Sequence, residues 1–314
     1  MSDSVLAAAD APSLPLDQFP DQGAATLRGL LPPDPCSILR DAINEHRPMR
    51  KEIFYQSREE FEKFGRWERY SPGATDHNFL LTDACDTSFI EDSPAFVAAL
   101  GKLAGDNYSI MKKAIIRSTP HFTLPDWILE YVQELGRPNL NPFVRDEFQD
   151  VQYFFYTDYH QDKTRQKSNF VTVYVYLDTV EANYSSLRIL LESHKLGMTH
   201  YPHSLRRAYG DSALWYYNNS DGDHVKCPEF VVTGEAGDVS CFHDLTLHGT
   251  VRNNSDNPRI SLRYLVAPED ESVDCLVNQA NAQVRGPQFV DGVRLDVAPD
   301  GAFREMGASI FIQE

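Results

Sequence analysis

Residues 237–266 read GDVSCFHDLTLHGTVRNNSDNPRISLRYLV. Two runs rich in β-branched and aromatic residues, 239–243 and 260–266, have the composition of strands. Gly237-Asp238 before the first run and Asn257-Pro258 before the second supply turn signals. Between the runs lies His248, and the second is entered through Arg259. Side chains alternate along a strand, so Arg259, Ser261 and Arg263 share one face while Ile260, Leu262 and Tyr264 share the other. An arginine on an inner wall can grip a carboxylate through two parallel N–H donors.

Working outward, the segments 151–156, 170–177 and 230–233 repeat the strand composition, and Gly234 marks a further turn. The first half reads differently. Residues 34–46, 93–103 and 125–135 carry apolar side chains at helical spacing, open with proline signals, and in the last case stop at Gly136. The segment 204–215 reads as a short helix inserted between strands, and 294–297 as a final strand. Short strands with long connections and helices outside them fit a fold that is mainly β with flanking α-helices, around a double-stranded β-helix (jelly-roll, cupin-like) core. The expected organisation is a flexible N-terminal arm over 1–22 and a single domain over 23–314. That domain is helical to about residue 145, jelly-roll from about 146 to 270, and ends in a C-terminal extension.

Upstream, His160-Gln161-Asp162 places two ligand-type side chains one residue apart, on one face of a strand. A His-x-Asp pair taken alone is more often a surface pair or a hydrogen-bonded core histidine. With His248 from elsewhere in the barrel, however, two imidazoles and one carboxylate occupy one face of an octahedral Fe(II) and leave three positions open. Arg259, eleven residues beyond His248, suits the far carboxylate of a dicarboxylic co-substrate. Together the four residues argue for an oxygenase using Fe(II), 2-oxoglutarate and O2. Thr172 and Thr250 offer hydroxyls to the same co-substrate. Gln152 and Tyr156 share parity with His160 on a continuous strand, which a bulge or turn near Thr157 would break. His194, His200 and His203 have no carboxylate at a matching position and read as loop residues, whereas His243 and Asp244 suit a role orienting a ligand. The aromatic residues Phe54, Tyr55, Phe61, Phe64, Trp67 and Tyr70 suit a pocket wall, although such residues more often pack a core.

Composition narrows the partners. A net charge of −17 repels nucleic acid and anionic membranes. No apolar run reaches the ~20 residues a spanning helix needs. Five scattered cysteines form neither a zinc framework nor a disulfide scaffold, and fit a reducing cytoplasm. A small-molecule substrate is what remains, with oligomeric state open.

The segments YHQD at 159–162, VTVYVYLD at 171–178, SSLRILLESHKLG at 185–197 and GDVSCFHDLTLHGTVRNNSDNPR at 237–259 resemble the phytanoyl-CoA dioxygenase-like family of Fe(II)/2-oxoglutarate oxygenases. The resemblance runs from about 152 to 266. It implies His160, Asp162 and His248 as iron ligands and Arg259 as the 2-oxoglutarate clamp. It further implies Thr172, Thr250 and Tyr156 near the co-substrate and Gln152 near the substrate. Family halogenases carry Gly or Ala where Asp162 stands, so the carboxylate implies hydroxylation or a related oxidation; the expected reaction is hydroxylation of an unactivated carbon in a small metabolite, an amino-acid derivative or natural-product intermediate. Desaturation, cyclisation or epimerisation at the same site is the alternative, and a jelly-roll that binds metal or ligand without oxidation is another. Two departures stand out. Leu191-Glu192 replaces the usual Pro-Gly, and Ser185-Ser186 replaces Asn-Gly, in a turn expected to lie remote from the ligands.

Overall fold

The computed structural model of the chain describes residues 13–65, 84–135, 140–162, 170–198, 204–219 and 222–268, with three short strands at 295–297, 303–305 and 312–313. Its helices are α1 (Phe19–Gln22), α2 (Pro33–His46), α3 (Arg58–Phe64), α4 (Ser88–Glu91), α5 (Pro94–Ala104) and α6 (Asp126–Leu135). The strands are β1 (Ala24–Leu27), β2 (Ser109–Ser118), β3 (Val151–Phe154), β4 (Thr157–His160), β5 (Val171–Tyr176), β6 (Leu187–Leu190), β7 (Ser204–Ala208) and β8 (Asp211–Asn218). They continue with β9 (His224–Val231), β10 (Val239–His243), β11 (His248–Thr250), β12 (Ile260–Ala267), β13 (Leu295–Val297), β14 (Phe303–Glu305) and β15 (Ile312–Gln313).

Two sheets make the jelly-roll core. The first has six strands in the order β1-β10-β5-β12-β2-β3, and the second seven in the order β15-β7-β8-β9-β6-β11-β4. Alternation along the strands sorts their side chains between two layers. Val173 and Val175 on β5, and Leu262, Tyr264 and Val266 on β12, pack outward against Leu39 and Ile43 of α2, Phe96 and Leu100 of α5, and Ile128 and Val132 of α6. Their strand neighbours point inward, where Tyr176 and Phe242 of the first sheet meet Leu187, Ile189 and Phe230 of the second. The helices start where the sequence lets them. Pro33 and Pro94 sit in the first turns of α2 and α5, where a missing N–H costs nothing, and Ser57 caps α3 by accepting from Glu60 N at 3.2 Å.

The structure corrects several expectations. Residues 204–215 are not a helix but most of the β7–β8 hairpin, turned at Gly210 with a φ of 79°. Both strands are exposed over much of their length, so the apolar alternation that marks a half-buried strand is weak there. Residues 13–22, expected within the arm, form helical turns with Leu14 and Phe19 buried, and Leu14 N bonds Thr26 Oγ1 at 2.9 Å; residues 1–12 lie outside the described residues. The first half also contributes β1 and β2, which flank β10 and β12 in the first sheet. The expected strand 151–156 ends at Phe154 and a separate strand, β4, begins at Thr157, because the chain passes from the first sheet to the second between them. Beyond 294–297 two further short strands follow, β14 pairing with β13 and β15 with β7. Phe54, Tyr55 and Phe61 pack in the helix-side core, Phe64 is exposed, and positions 67 and 70 lie outside the described residues.

Candidate metal centre and its pocket

His160 closes β4 and His248 opens β11, and the two are register partners, so their rings meet with centroids 4.3 Å apart. A register shift follows at once, because Thr250 pairs with Thr157 and β4 carries one residue more than β11 between the two pairs. This bulge lets Thr157 and His160 line the same cavity although they differ in parity. Asp162, two residues past β4, is held by its backbone N–H donating to Asp244 O at 3.0 Å. The intervening Gln161 is pinned by its amide donating to Gly197 O and Leu245 O at 3.0 and 2.8 Å.

Three donor atoms converge. Asp162 Oδ1 lies 3.7 Å from His160 Nε2 and 3.5 Å from His248 Nε2. Adjacent ligands of one ion bonded at about 2.1 Å lie roughly 3 Å apart, so only small adjustments separate this trio from a metal-binding set. Among the described residues no other group of three His, Cys, Asp or Glu side chains brings its ligand atoms this close. The outer contacts prepare each donor. Thr246 O, which can only accept, sits 3.0 Å from His248 Nδ1, placing the proton there and leaving Nε2 free to bind metal. Thr172 Oγ1 donates to Asp162 Oδ2 at 2.8 Å, leaving Oδ1 for the shared centre.

Electrostatics favour the ligating forms. Burial pushes His248 down to about 4, against the opposing pull of Asp162, so it is a neutral imidazole near neutral pH. For Asp162 burial works upward, yet His248, His160, Arg263 and the Thr172 hydroxyl together hold the carboxyl below its ordinary range.

The triad lies in a cavity whose walls also include Phe154, Thr157, Tyr174, Tyr176, Thr250, Arg259 and Arg263. Arg259 is buried at 6% exposure; one terminal N–H donates to Ser185 O at 2.9 Å, and the guanidinium lies over the Tyr176 ring at 5.5 Å. Its Nε has no partner, and no ion pair engages it among the described residues. Burial pulls its pKa down, against Tyr176, Tyr174 and Asp178. A buried cation without an anion is costly, and here it faces a cavity that can admit one.

The expected site residues thus separate. His160, Asp162, His248, Thr250 and Arg259 line one cavity. Thr172 does not line it, and its hydroxyl is spent on Asp162 instead of a co-substrate. Tyr156 stands at the crossing between sheets with Arg252 over its ring at 5.0 Å, outside the cavity lining. Gln152 is buried on β3 beside Ile116, with both amide atoms unpartnered, and does not line the cavity either. The parity that linked these two to His160 fails because β3 and β4 belong to different sheets. Phe154, Thr157 and Tyr174 were missed; the bulge that admits Thr157 has no local sequence signal.

The loop departures also acquire a physical meaning. Ser185 and Glu192 are the two non-glycine residues with positive φ among the described residues, at 58° and 67°. These are conformations that Gly and Asn adopt with least strain. Ser185 is not remote from the site, since it accepts from Arg259 and lines the cavity. His194 is a structural histidine, its Nε2 3.0 Å from Pro20 O, while positions 200 and 203 lie outside the described residues. His243 Nδ1 lies 2.7 Å from Asp244 Oδ1, behind the backbone contact that holds Asp162.

No curated protein matches the sequence. Among solved structures the chain is similar to SnoK, a non-heme alpha ketoglutarate dependent carbocyclase from nogalamycin biosynthesis, at 15% identity over 81% of this chain and 82% of that one, with a TM-score of 0.46. It is similar to the epimerase SnoN in complex with Fe3+, alpha ketoglutarate and nogalamycin RO, at 13% identity over 94% of each chain, with a TM-score of 0.47. It is also similar to EvdO2 from Micromonospora carbonacea var. aurantiaca, at 17% identity over 81% of this chain and 89% of that one, with a TM-score of 0.45. A family model described as phytanoyl-CoA dioxygenase matches residues 19–261, which hold every side chain of the triad together with Arg259. By that match the chain belongs to the phytanoyl-CoA dioxygenase family, and is a non-haem iron, 2-oxoglutarate-dependent enzyme.

Proposed function

We propose that the protein oxidises an unactivated carbon of a small metabolite, most simply by hydroxylation, at the His160, Asp162, His248 centre. The supporting observation is a buried guanidinium without an anionic partner, Arg259, in the same cavity as the triad. His160 Nε2, Asp162 Oδ1 and His248 Nε2 would hold Fe(II), and Arg259 would take the distal carboxylate of 2-oxoglutarate. Bound iron and 2-oxoglutarate supply oxygen activation coupled to decarboxylation. The chain supplies position and dryness. Thr246 and Thr172 fix the faces that His248 and Asp162 present, and Tyr176 with Ser185 fixes the Arg259 fork. Phe154, Tyr174 and Leu187 keep bulk water from the reacting carbon. Thr250 lines the cavity, its hydroxyl 3.1 Å from that of Thr157, and this pair can turn toward the co-substrate. Gln152 and Tyr156, outside the lining, would meet a substrate only if it reaches beyond the cavity.

The test is succinate formation from 2-oxoglutarate with Fe(II) and O2, compared with His160→Ala. Succinate from the wild-type protein, with both succinate and bound iron lost in the variant, is expected. No succinate together with unchanged iron binding in His160→Ala would overturn the reading. Once a substrate is in hand, product mass separates the outcomes: a gain of one oxygen means hydroxylation, and a loss of two hydrogens means desaturation or ring closure. The buried thiols Cys36, Cys85, Cys227 and Cys241 are all free, in keeping with a proposed site of action in a reducing cytoplasm.

A further inference from the structure

Arg263 helps keep the Asp162 carboxyl ionised but binds no ligand in the function proposed above. It shares the inner face of β12 with Arg259 and lines the same cavity. Register places it close to the metal side. Along β12, Leu265 pairs with Thr172, whose hydroxyl holds Asp162, then Arg263 pairs with Tyr174 and Ser261 with Tyr176. Arg263 is therefore one alternation from the row that fixes the carboxylate ligand, while Arg259 is three alternations away. Its Nε is buried without a partner, and no ion pair forms to it among the described residues.

Counting charge shows what is missing. Among the cavity residues the fixed charges are two guanidiniums and one carboxylate, Asp162. A divalent ion raises the excess to three positive charges, and the dianion 2-oxoglutarate removes two of them. One positive charge is left over, in a cavity walled by Ile116, Phe154 and Leu187, where charge is weakly screened. The chain as a whole carries a net charge of −17, so this cavity is a local exception to the charge around it.

We propose that Arg263 binds an anionic oxygen group of the substrate next to the metal, so that the substrate class is a small monoanion such as a carboxylic acid. This rests on Arg259 holding 2-oxoglutarate. With the co-substrate dianion anchored at the far end, Arg263 is free to orient the substrate through its fork and to set which carbon faces the reacting centre. Neutral analogues of the same shape leave that guanidinium unpaired and bind poorly.

The test uses the full chain loaded with Ni(II) in place of Fe(II), so that nothing turns over, and calorimetry with 2-oxoglutarate followed by acetate or its neutral isostere acetamide. Wild-type protein saturated with 2-oxoglutarate is expected to bind one equivalent of acetate at least tenfold more tightly than acetamide. Arg263→Gln is expected to lose that preference while its Kd for 2-oxoglutarate changes less than threefold, and Arg263→Lys to keep part of it. Equal binding of acetate and acetamide by wild-type protein overturns the proposal without recourse to any variant. So does a tenfold or greater loss of 2-oxoglutarate affinity in Arg263→Gln, which would make Arg263 a second co-substrate contact. Failure of wild-type protein to bind 2-oxoglutarate at all, with Ni(II) bound, would instead overturn the reading of Arg259.

Discussion

Thr172 Oγ1 donates to Asp162 Oδ2 at 2.8 Å, across the gap between the two sheets. The hydroxyl belongs to a central strand of the six-stranded sheet, the carboxylate to the segment leaving the edge strand β4 of the seven-stranded one. Removing it should leave the carboxylate free to rotate, and outer contacts of this kind are worth about 10- to 100-fold in metal affinity. Thr172→Val is therefore expected to weaken Fe(II) or Ni(II) binding by about tenfold or more, whereas Thr172→Ser retains most of it. Metal titration by calorimetry measures both.

Arg259 should show opposite effects on binding and on stability. Arg259→Met removes the fork, and a charged hydrogen-bonding contact of roughly 1.5–3 kcal/mol predicts a 10- to 100-fold rise in the Kd for 2-oxoglutarate. It also removes a buried cation that has no anion, so the Tm of the ligand-free variant should equal or exceed that of the wild type. Arg259→Lys should recover little of the binding, since an ammonium cannot both hold Ser185 O and meet a carboxylate with two parallel donors. Calorimetry and thermal melts check the pair of effects.

At Glu192 the backbone is strained for a residue with a Cβ. The left-handed region costs such a residue about 1–2 kcal/mol, offset in part by the extra unfolded-state entropy of glycine. Its ion pair with Lys195, at 2.7 Å, is partly exposed and contributes little. Glu192→Gly should raise Tm by about 1–3 °C, with metal binding unchanged.

The metal-free protein should lose stability on acidification through His248. Its folded-state value, driven by burial to about 4, lies below the ordinary 6.5. A depressed value means the folded state resists protonation. The associated stability is present above pH 6.5 and is lost as pH falls from there toward 4, by up to roughly 3 kcal/mol. Urea midpoints of chelator-treated protein at pH 7 and pH 4.5 should differ, and His248→Gln should reduce the difference. An unchanged difference in that variant would place the acid sensitivity elsewhere.

The convergence of His160, Asp162 and His248 was legible because its signal is short-range. One residue separates His160 from Asp162, and the run from His248 to Arg259 spans one loop into a strand. The inner and outer faces of β12 were legible for the same reason, since Ile260, Leu262 and Tyr264 do pack outward while Arg259 and Arg263 line the cavity. What escaped depends on distant partners. β2 was hidden because its outward-facing Lys113 and Arg117 look like surface residues, yet Lys113 pairs with Glu91 at 2.7 Å and Arg117 is buried, donating to Arg47 O and Asn44 Oδ1. The change of sheet between β3 and β4 likewise leaves no periodic trace, and it alone decides that Gln152 and Tyr156 fall away from His160.

The division of the site between two layers has a mechanical corollary. Both imidazoles come from adjacent strands of the seven-stranded sheet, whereas Arg259 enters the strand β12 of the six-stranded one. A dicarboxylate clamped at one end by the metal and at the other by that guanidinium would act as a strut bracing the mouth of the barrel. Amides along β4, β11 and the start of β12 would then slow their hydrogen exchange together when the co-substrate docks, so that the enzyme stiffens before its substrate arrives.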